Sequence, residues 1–412
     1  MIALERNPRN AKRTSKRMEF LKGRVAHQMA PQAATPRPTA FINKYGHRSN
    51  VGTVPRFCEH DRVKTVYSDD HRFQDGASEL NDGKLVPCFE MPRRADLVLA
   101  AIRSADVGEV ITPTAHGEKP IAAVHADPFI NFLRTAWTEW ETAHGAYDAL
   151  PLTWPTRGLR HDRVPNSIDG KLSYFSLDAG TPITAGTWKA ITAAVDVAMT
   201  GVDLLSSGER VAFSLCRPPG HHASADVYGG YCFFNNAAIA AQAMRDHGAQ
   251  RVGILDVDYH HGNGTQSIFY DRSDVVFASL HADPADEYPF FLGYPDELGN
   301  GEGHGANHNY ALPWGTDWRA YDIALVDAIA RLSSHRVDAL VVSLGVDTFD
   351  GDPISRFRLQ HEDYLRMGER IASLGVPTLF VFEGGYAVEA IGVNVVNVLT
   401  GFEAGPAGKG NA

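Results

Sequence analysis

Cysteine is scarce in this chain: four in 412 residues, Cys58, Cys88, Cys216 and Cys232, with no pair separated by two positions. That spacing excludes a zinc knuckle or a dithiol redox motif, so any metal must be held by histidine and carboxylate. The four thiols read as reduced, small buried hydrophobes. Long apolar runs are missing too. None approaches the roughly 20 residues needed to cross a bilayer, and no secretory succession of basic, apolar and small residues is found, so a cytoplasmic enzyme with no membrane role is expected. Positive charge is in deficit, with 39 Lys and Arg against 49 Asp and Glu, a formal charge of -10.

The deficit is uneven. Residues 1–62 carry 13 Lys and Arg against 4 Asp and Glu, which leaves the remaining 350 residues at -19. An acidic body repels nucleic acid and attracts small cations. The basic head, with Pro31, Pro36 and Pro38 and little periodicity, reads as a poorly ordered, inert extension at 1–62 preceding a domain at 63–412. With 44% hydrophobic and 21% charged residues, the body has the composition of a globular protein with a large core.

Within that body, helical periodicity runs over Arg93–Ile102 and Pro128–Glu141, and a first strand is expected at Val63–Tyr67. Residues 143–186 follow neither period and are rich in Gly, Pro and Thr, which predicts a long surface excursion of the kind that is usually functional. From Thr187 onward, helices (Thr187–Ser206, Asn235–His247, Trp318–Ser333, Glu362–Ser373, Val388–Thr400) alternate with short apolar runs. The runs are Val211–Leu215, Val252–Leu255, Val275–Leu280, Ala339–Leu344 and Thr378–Phe382. Such alternation predicts parallel strands with crossover helices, covered on both faces.

Each run gives way to a polar stretch: Arg217-Pro218-Pro219-Gly220-His221-His222, Asp256-Val257-Asp258-Tyr259-His260-His261-Gly262-Asn263-Gly264, His281-Ala282-Asp283, Val346-Asp347-Thr348-Phe349 and Glu383-Gly384-Gly385-Tyr386. Carboxyl ends of parallel strands line one edge of a sheet, where ligands bind, so these groups are expected to converge. Asp258 and His260 are two apart and can reach one ion, with Asp347 as third ligand. One imidazole and two carboxylates suit Zn(II) or Fe(II) and leave positions for water and substrate. His221 and His222 are candidates for acid and base work, Asp256 and Asn263 for orienting their rings, and Tyr386 for a hydroxyl donor to a developing oxyanion.

Three other signals fail. His361-Glu362 begins a zincin pattern, but Leu365 stands where its second histidine belongs. Asn263-Gly264-Thr265 matches a glycosylation acceptor inside the proposed metal loop. Gly299–Gly305 follows no strand signal and opens no helix, so it reads as a mobile loop and not a phosphate cradle.

Together these motifs resemble the arginase/deacetylase superfamily, within it the histone deacetylase-like amidohydrolases and most closely their acetylpolyamine type, over about residues 64–403. The resemblance rests on Phe213–His222, Gly229-Gly230-Tyr231-Cys232-Phe233, Ile254–Gln266, Val342–Phe349 and Glu383–Tyr386. It implies an α/β three-layer fold, a central eight-stranded parallel sheet flanked by helices. It also implies one divalent ion on Asp258, His260 and Asp347, and structural K+ or Na+ sites involving Asp256, Asp258, His260, Ser279 and Leu280. By the same likeness His222 is general base and acid, His221 paired with Asp256 gives electrostatic support, and Asn263 stands where class I deacetylases carry Asp. Gly230, Tyr231 and Tyr288 would line a narrow tunnel. The excursion at 143–186 would narrow the mouth and form a homodimer, with Asp169 receiving a distal ammonium, whereas Gly180 departs from the acid of the polyamine-type pattern.

The implied reaction is hydrolysis of acetylated polyamines or diamines, such as acetylputrescine, acetylcadaverine or acetylspermidine, to acetate and free amine. The alternative is an acetyl-lysine or longer acyl-lysine protein deacylase, whose slim side chain fits the same tunnel. A non-catalytic binding module and an arginase-like dinuclear hydrolase are the remaining rivals. The first is opposed by filled catalytic positions and the second by the lack of a second bridging carboxylate set.

Overall fold

The structure is a computed structural model and describes residues 62–405. The extension at 1–62 lies outside the described residues except for Arg62, which pairs with Asp106 at 3.0 Å. Cys58 also lies outside; Cys88, Cys216 and Cys232 are free and buried.

The strands are β1 (Lys64–Val66), β2 (Glu79–Asn81), β3 (Lys84–Val86), β4 (Val110–Ile111), β5 (Val211–Ser214), β6 (Val252–Asp256), β7 (Val275–Ala282), β8 (Asn307–Leu312), β9 (Ala339–Leu344) and β10 (Thr378–Phe382). The helices are α1 (Arg93–Ala105), α2 (Lys119–Ala122), α3 (Asp127–His144), α4 (Ile168–Phe175), α5 (Thr187–Ser206), α6 (Asn236–Asp246), α7 (Asn263–Phe269), α8 (Trp318–Ser334), α9 (His361–Ala372) and α10 (Val388–Ala404). Eight strands make one sheet in the order β4-β1-β5-β10-β9-β6-β7-β8, with every neighbouring pair parallel. β2 and β3 form a separate antiparallel hairpin.

The absence of polar alternation in the strands has its cause in the layers. Leu340, Val342 and Leu344 of β9, with Phe380 and Phe382 of β10, pack into the core shared with α1, α8, α9 and α10. The intervening Ala339, Val341, Leu379 and Val381 pack into the opposite core with α3, α4, α5 and α6. Successive strand residues face opposite sides, so both registers must be apolar when helices cover both faces. Each fully buried aliphatic or aromatic side chain contributes about 1.5–3 kcal/mol. The three-layer α/β architecture is thus the expected one.

Two expectations need revision. The excursion at 143–186 contains α4, capped by Ser167, whose hydroxyl accepts from the Gly170 N–H, and Ala149 and Ile183 bridge its two ends. The stretch Gly299–Gly305 is pinned and not loose. Asn300 N–H donates to the Tyr270 carbonyl at 2.8 Å, and Gly305 N–H to the Leu298 carbonyl at 2.7 Å. It leads directly into β8, an edge strand whose Asn307 and Asn309 gave no apolar signal because they are buried on the Gln266 amide instead.

Candidate active site

The ends of β5, β6, β9 and β10 meet at one place. Ligand atoms of Asp258, His260 and Asp347 lie within 4.8 Å of one another, and all three residues are buried. His260 Nδ1 is 3.0 Å from Asp347 Oδ2 and 3.4 Å from Asp258 Oδ1. The neighbouring backbone fixes the carboxylates: Gly384 N–H donates to Asp258 Oδ2 at 2.8 Å, and Tyr259 N–H to Asp347 Oδ1 at 2.8 Å. A Cβ at Gly345 would overlap the Asp258 carboxylate, and one at Gly384 would come 2.6 Å from Asp347 Oδ2. Both glycines are therefore places of close backbone approach.

This donor set fits a divalent ion. Burial, and then the charge of Asp258, push the Asp347 carboxyl up to about 7, a like-charge crowding that a cation relieves. A second grouping, His221, Cys232 and Glu383, is also close enough to hold a metal. Its members are already engaged, His221 with Asp256, Cys232 with the Gly230 carbonyl and Glu383 with the Gly220 and His221 N–H groups. The first grouping carries the metal reading.

The tandem histidines stand beside it, their rings 4.0 Å apart. His221 Nδ1 contacts Asp256 Oδ2 at 3.0 Å, and His222 Nδ1 contacts Asn263 Oδ1 at 2.7 Å. Because the Asn263 amide NH2 donates to the His222 carbonyl, its oxygen faces the ring, which assigns the ring proton to Nδ1. The two imidazoles are driven apart electrostatically. Burial opposes charge on both, but the carboxylates of Asp256 and Asp258 outweigh it and raise His221 to about 10. Burial, followed by the charges of His221 and His260, depresses His222 well below the usual imidazole range. A pair separated in this way assigns one charged and one neutral ring.

Tyr386 is nearly buried, and its backbone N–H donates to Asp352 Oδ2 at 2.7 Å. The Arg94 guanidinium lies 4.6 Å from its ring centroid and donates to the carbonyls of Glu383 and Gly385, both at 2.6 Å. Tyr231 faces Tyr386 with ring centroids 5.5 Å apart, and Tyr288 meets His222 edge to face at 5.1 Å. Gly230 has φ +55°, and a Cβ there would strike the His222 ring, so glycine brings this turn against that imidazole. Asp256 and Ser279 are register partners on β6 and β7, with Leu280 next along β7; the Ser279 hydroxyl contacts His261 and His281.

Asp169 sits apart from this cluster in its described contacts. It lies in the first turn of α4, half-exposed, and its carboxylate pairs with His144 at 3.0 Å. The Gly180 N–H donates to Asp178, so an acid stands two residues before the position that lacks one.

Several residues were missed from sequence. Glu383, fully buried and raised to about 7 chiefly by desolvation, accepts from Gly220 and His221 and ties β10 to the histidine turn. Its place at the head of Glu-Gly-Gly-Tyr was a usable signal. Glu90 bridges Arg217, at 2.8 and 2.9 Å, to Arg94, at 2.9 Å, beneath both catalytic segments. Glu79, Asp178 and Asp352 also touch the site's framework from stretches with no motif.

Comparison with known proteins defines the class. Residues 88–402 match the histone deacetylase domain, and the chain belongs to that family. Within it, the chain is 60% identical over 339 residues to acetylpolyamine amidohydrolase 2 of Pseudomonas aeruginosa, covering 82% of this chain and 98% of that protein. It is 48% identical to the acetylpolyamine amidohydrolase of Mycoplana ramosa, over 82% and 99% of the two chains. The crystal structure of the acetylpolyamine aminohydrolase from Burkholderia pseudomallei superposes with a TM-score of 0.78 at 36% identity, covering 83% of this chain and 99% of that one.

Proposed function

We propose that the protein is a metal-dependent amidohydrolase that removes acetyl groups from acetylated polyamines and diamines, releasing acetate and the free amine. The observation that carries this reading is the convergence of Asp258, His260 and Asp347 with a neutral His222 and a buried Tyr386. Relatives named for that substrate class match almost from end to end.

Asp258, His260 and Asp347 would hold one Zn(II) or Fe(II), which when bound supplies Lewis-acid polarisation of the amide carbonyl and of water. His222, kept neutral by burial and with Nδ1–H on Asn263, has Nε2 free to accept a proton from the attacking water. It then returns that proton to the leaving nitrogen, so the amine departs uncharged, and the acetic acid formed loses its proton as the amine gains one. His221, held protonated by Asp256, supplies fixed positive charge beside the reacting centre. Tyr386 keeps its phenolic proton, since burial raises its pKa, and can donate to the carbonyl oxygen as charge develops. Gly230, Tyr231 and Tyr288 shape the passage for a slim chain.

The finer parts of the proposal are a catalytic domain at 63–412 preceded by the 1–62 extension and monovalent ions near Asp256, Asp258, His260, Ser279 and Leu280. They also include a cytoplasmic location without a nucleic-acid partner, and a homodimer through the 143–186 excursion. Exposed Leu152, Leu159 and Val164 support the last of these. No helix among the described residues is long and apolar enough to cross a membrane. Comparing kcat/KM for acetylated diamines with that for an acetyl-lysine peptide tests the substrate. The diamines should be favoured, and a strong preference for the peptide would make the protein a lysine deacylase.

A further inference from the structure

Behind each tyrosine of the passage stands a carboxylate. The Tyr231 hydroxyl donates to Glu79 Oε1 at 2.9 Å, and the Tyr288 hydroxyl to Asp178 Oδ2 at 2.7 Å. Both acids are held firmly. Glu79 accepts the Phe89 N–H at 3.2 Å, and Asp178 accepts the Gly230 N–H at 2.7 Å, the Gly180 N–H at 2.9 Å and the Thr181 hydroxyl at 3.3 Å. Every one of these partners is neutral. Among the described residues no lysine, arginine or histidine pairs with either carboxylate, although the protein matches its buried Glu90 with two guanidiniums only a short way along the chain. Burial, with the Asp178 charge adding to it, lifts Glu79 to about 7, as befits a carboxyl without a counter-cation.

We propose that Glu79 and Asp178 are specificity-determining residues that act through Tyr231 and Tyr288, favouring a cationic chain in the passage over a neutral chain of the same shape. Two physical effects add. A phenol that donates to a carboxylate carries more electron density in its ring, so the faces of both rings become better partners for an ammonium. The Glu79 carboxyl is itself buried in a water-poor surrounding, where an approaching ammonium acts on it with less screening than in solvent. The missing counter-charge is then the passenger's own. Neither acid needs to touch the substrate, so these are positioning residues and not catalytic ones. The inference rests on the reading of Tyr231 and Tyr288 as passage walls and goes beyond it by naming what sets their preference.

The test compares N-acetyl-1,5-diaminopentane with N-hexylacetamide, which replaces the terminal ammonium by a methyl group. Wild type, Glu79→Gln and Asp178→Asn are each assayed on both amides. The expected result is a rise of about tenfold in KM for the cationic amide in either variant, with kcat and the neutral amide changed by less than about threefold. In a Tyr288→Phe background the further Asp178→Asn change should lose most of that effect, because the hydroxyl that couples them is gone. Equal losses on both amides in both variants, or no loss on either, would overturn the inference and leave the proposed deacetylation standing. A wild type that does not distinguish the two amides would overturn the inference as well, whereas a wild type that hydrolyses neither would overturn the proposed deacetylation. Should Asp178→Asn fail to fold, since it also anchors Gly230, the Glu79→Gln outcome alone decides.

Discussion

At the floor of the site Asp258, Asp347, Asp256 and Glu383 are almost wholly buried, and each carboxylate is met by backbone N–H groups or an imidazole. By contrast, the excursion 143–186 leaves Leu152 82% and Leu159 58% exposed, and its Asp169 leans on nothing firmer than His144. The contrast teaches where precision is needed. A reacting amide tolerates little displacement of base, ion and hydroxyl donor, so the floor is braced by residues from four strands. The excursion meets no such demand, and exposed side chains are tolerated there.

The comparison is broken most sharply at the floor. His222→Ala should lower kcat by about 10²–10⁴ while circular dichroism and ion content stay as in the wild type, since it removes the proton carrier alone. Retention of more than a tenth of the activity would move the base elsewhere. Tyr386→Phe should cost about 10²–10³ in kcat with a smaller change in KM, as expected for a donor used mainly in the transition state. Gly345→Ala forces a methyl group into the Asp258 carboxylate and should destabilise the fold by about 1–3 kcal/mol. Thermal unfolding together with metal analysis checks this, and the bound ion should fall below one per chain.

The excursion should respond differently. Leu152→Ser changes an exposed residue, so folding stability should move by no more than about 0.5 kcal/mol while self-association weakens. Sedimentation at several concentrations reads this, and an assembly state unchanged from wild type would remove Leu152 from the proposed interface. The smallest effect belongs to Asp274 and its two arginines, at the start of β7. Arg272 first, with Arg245 beside it, holds Asp274 down to about 2. A carboxyl depressed in the folded state stabilises above its unfolded value of 3.8 and loses that contribution as pH falls toward 2. Asp274→Asn should therefore flatten the acid limb of the stability curve below pH 4 and leave its shape near neutrality alone.

Most of the floor was legible in the sequence because its groups come within a few positions of the end of an apolar run. Asp258 and His260, His221 and His222, and Tyr386 all sit on the turns that leave β6, β5 and β10, and parallel strands bring such turns to one edge. Helices with a strong apolar face, such as Thr187–Ser206, were found to the residue. Edge strands were not. β4 has two residues, and β8 buries asparagines, so neither offers a hydrophobic pattern to read. The bracing residues were hidden for another reason: Glu79 lies 152 positions from Tyr231, and Asp178 lies 110 from Tyr288. No local pattern marks a carboxyl that meets a hydroxyl that far along the chain.

Order along the chain determined which groups the fold gathers: two carboxylates and an imidazole, a histidine pair and a phenol, each placed near the end of a buried strand. Folding in three dimensions decided their condition. It made one ring of the histidine pair charged and the other neutral, closed backbone around Asp258, and set acids behind the tyrosines. The reason is physical. Hydrophobic spacing acts over a few residues and can be read in one dimension, whereas proton affinity depends on burial and on charges that only the packed chain brings within a few ångströms.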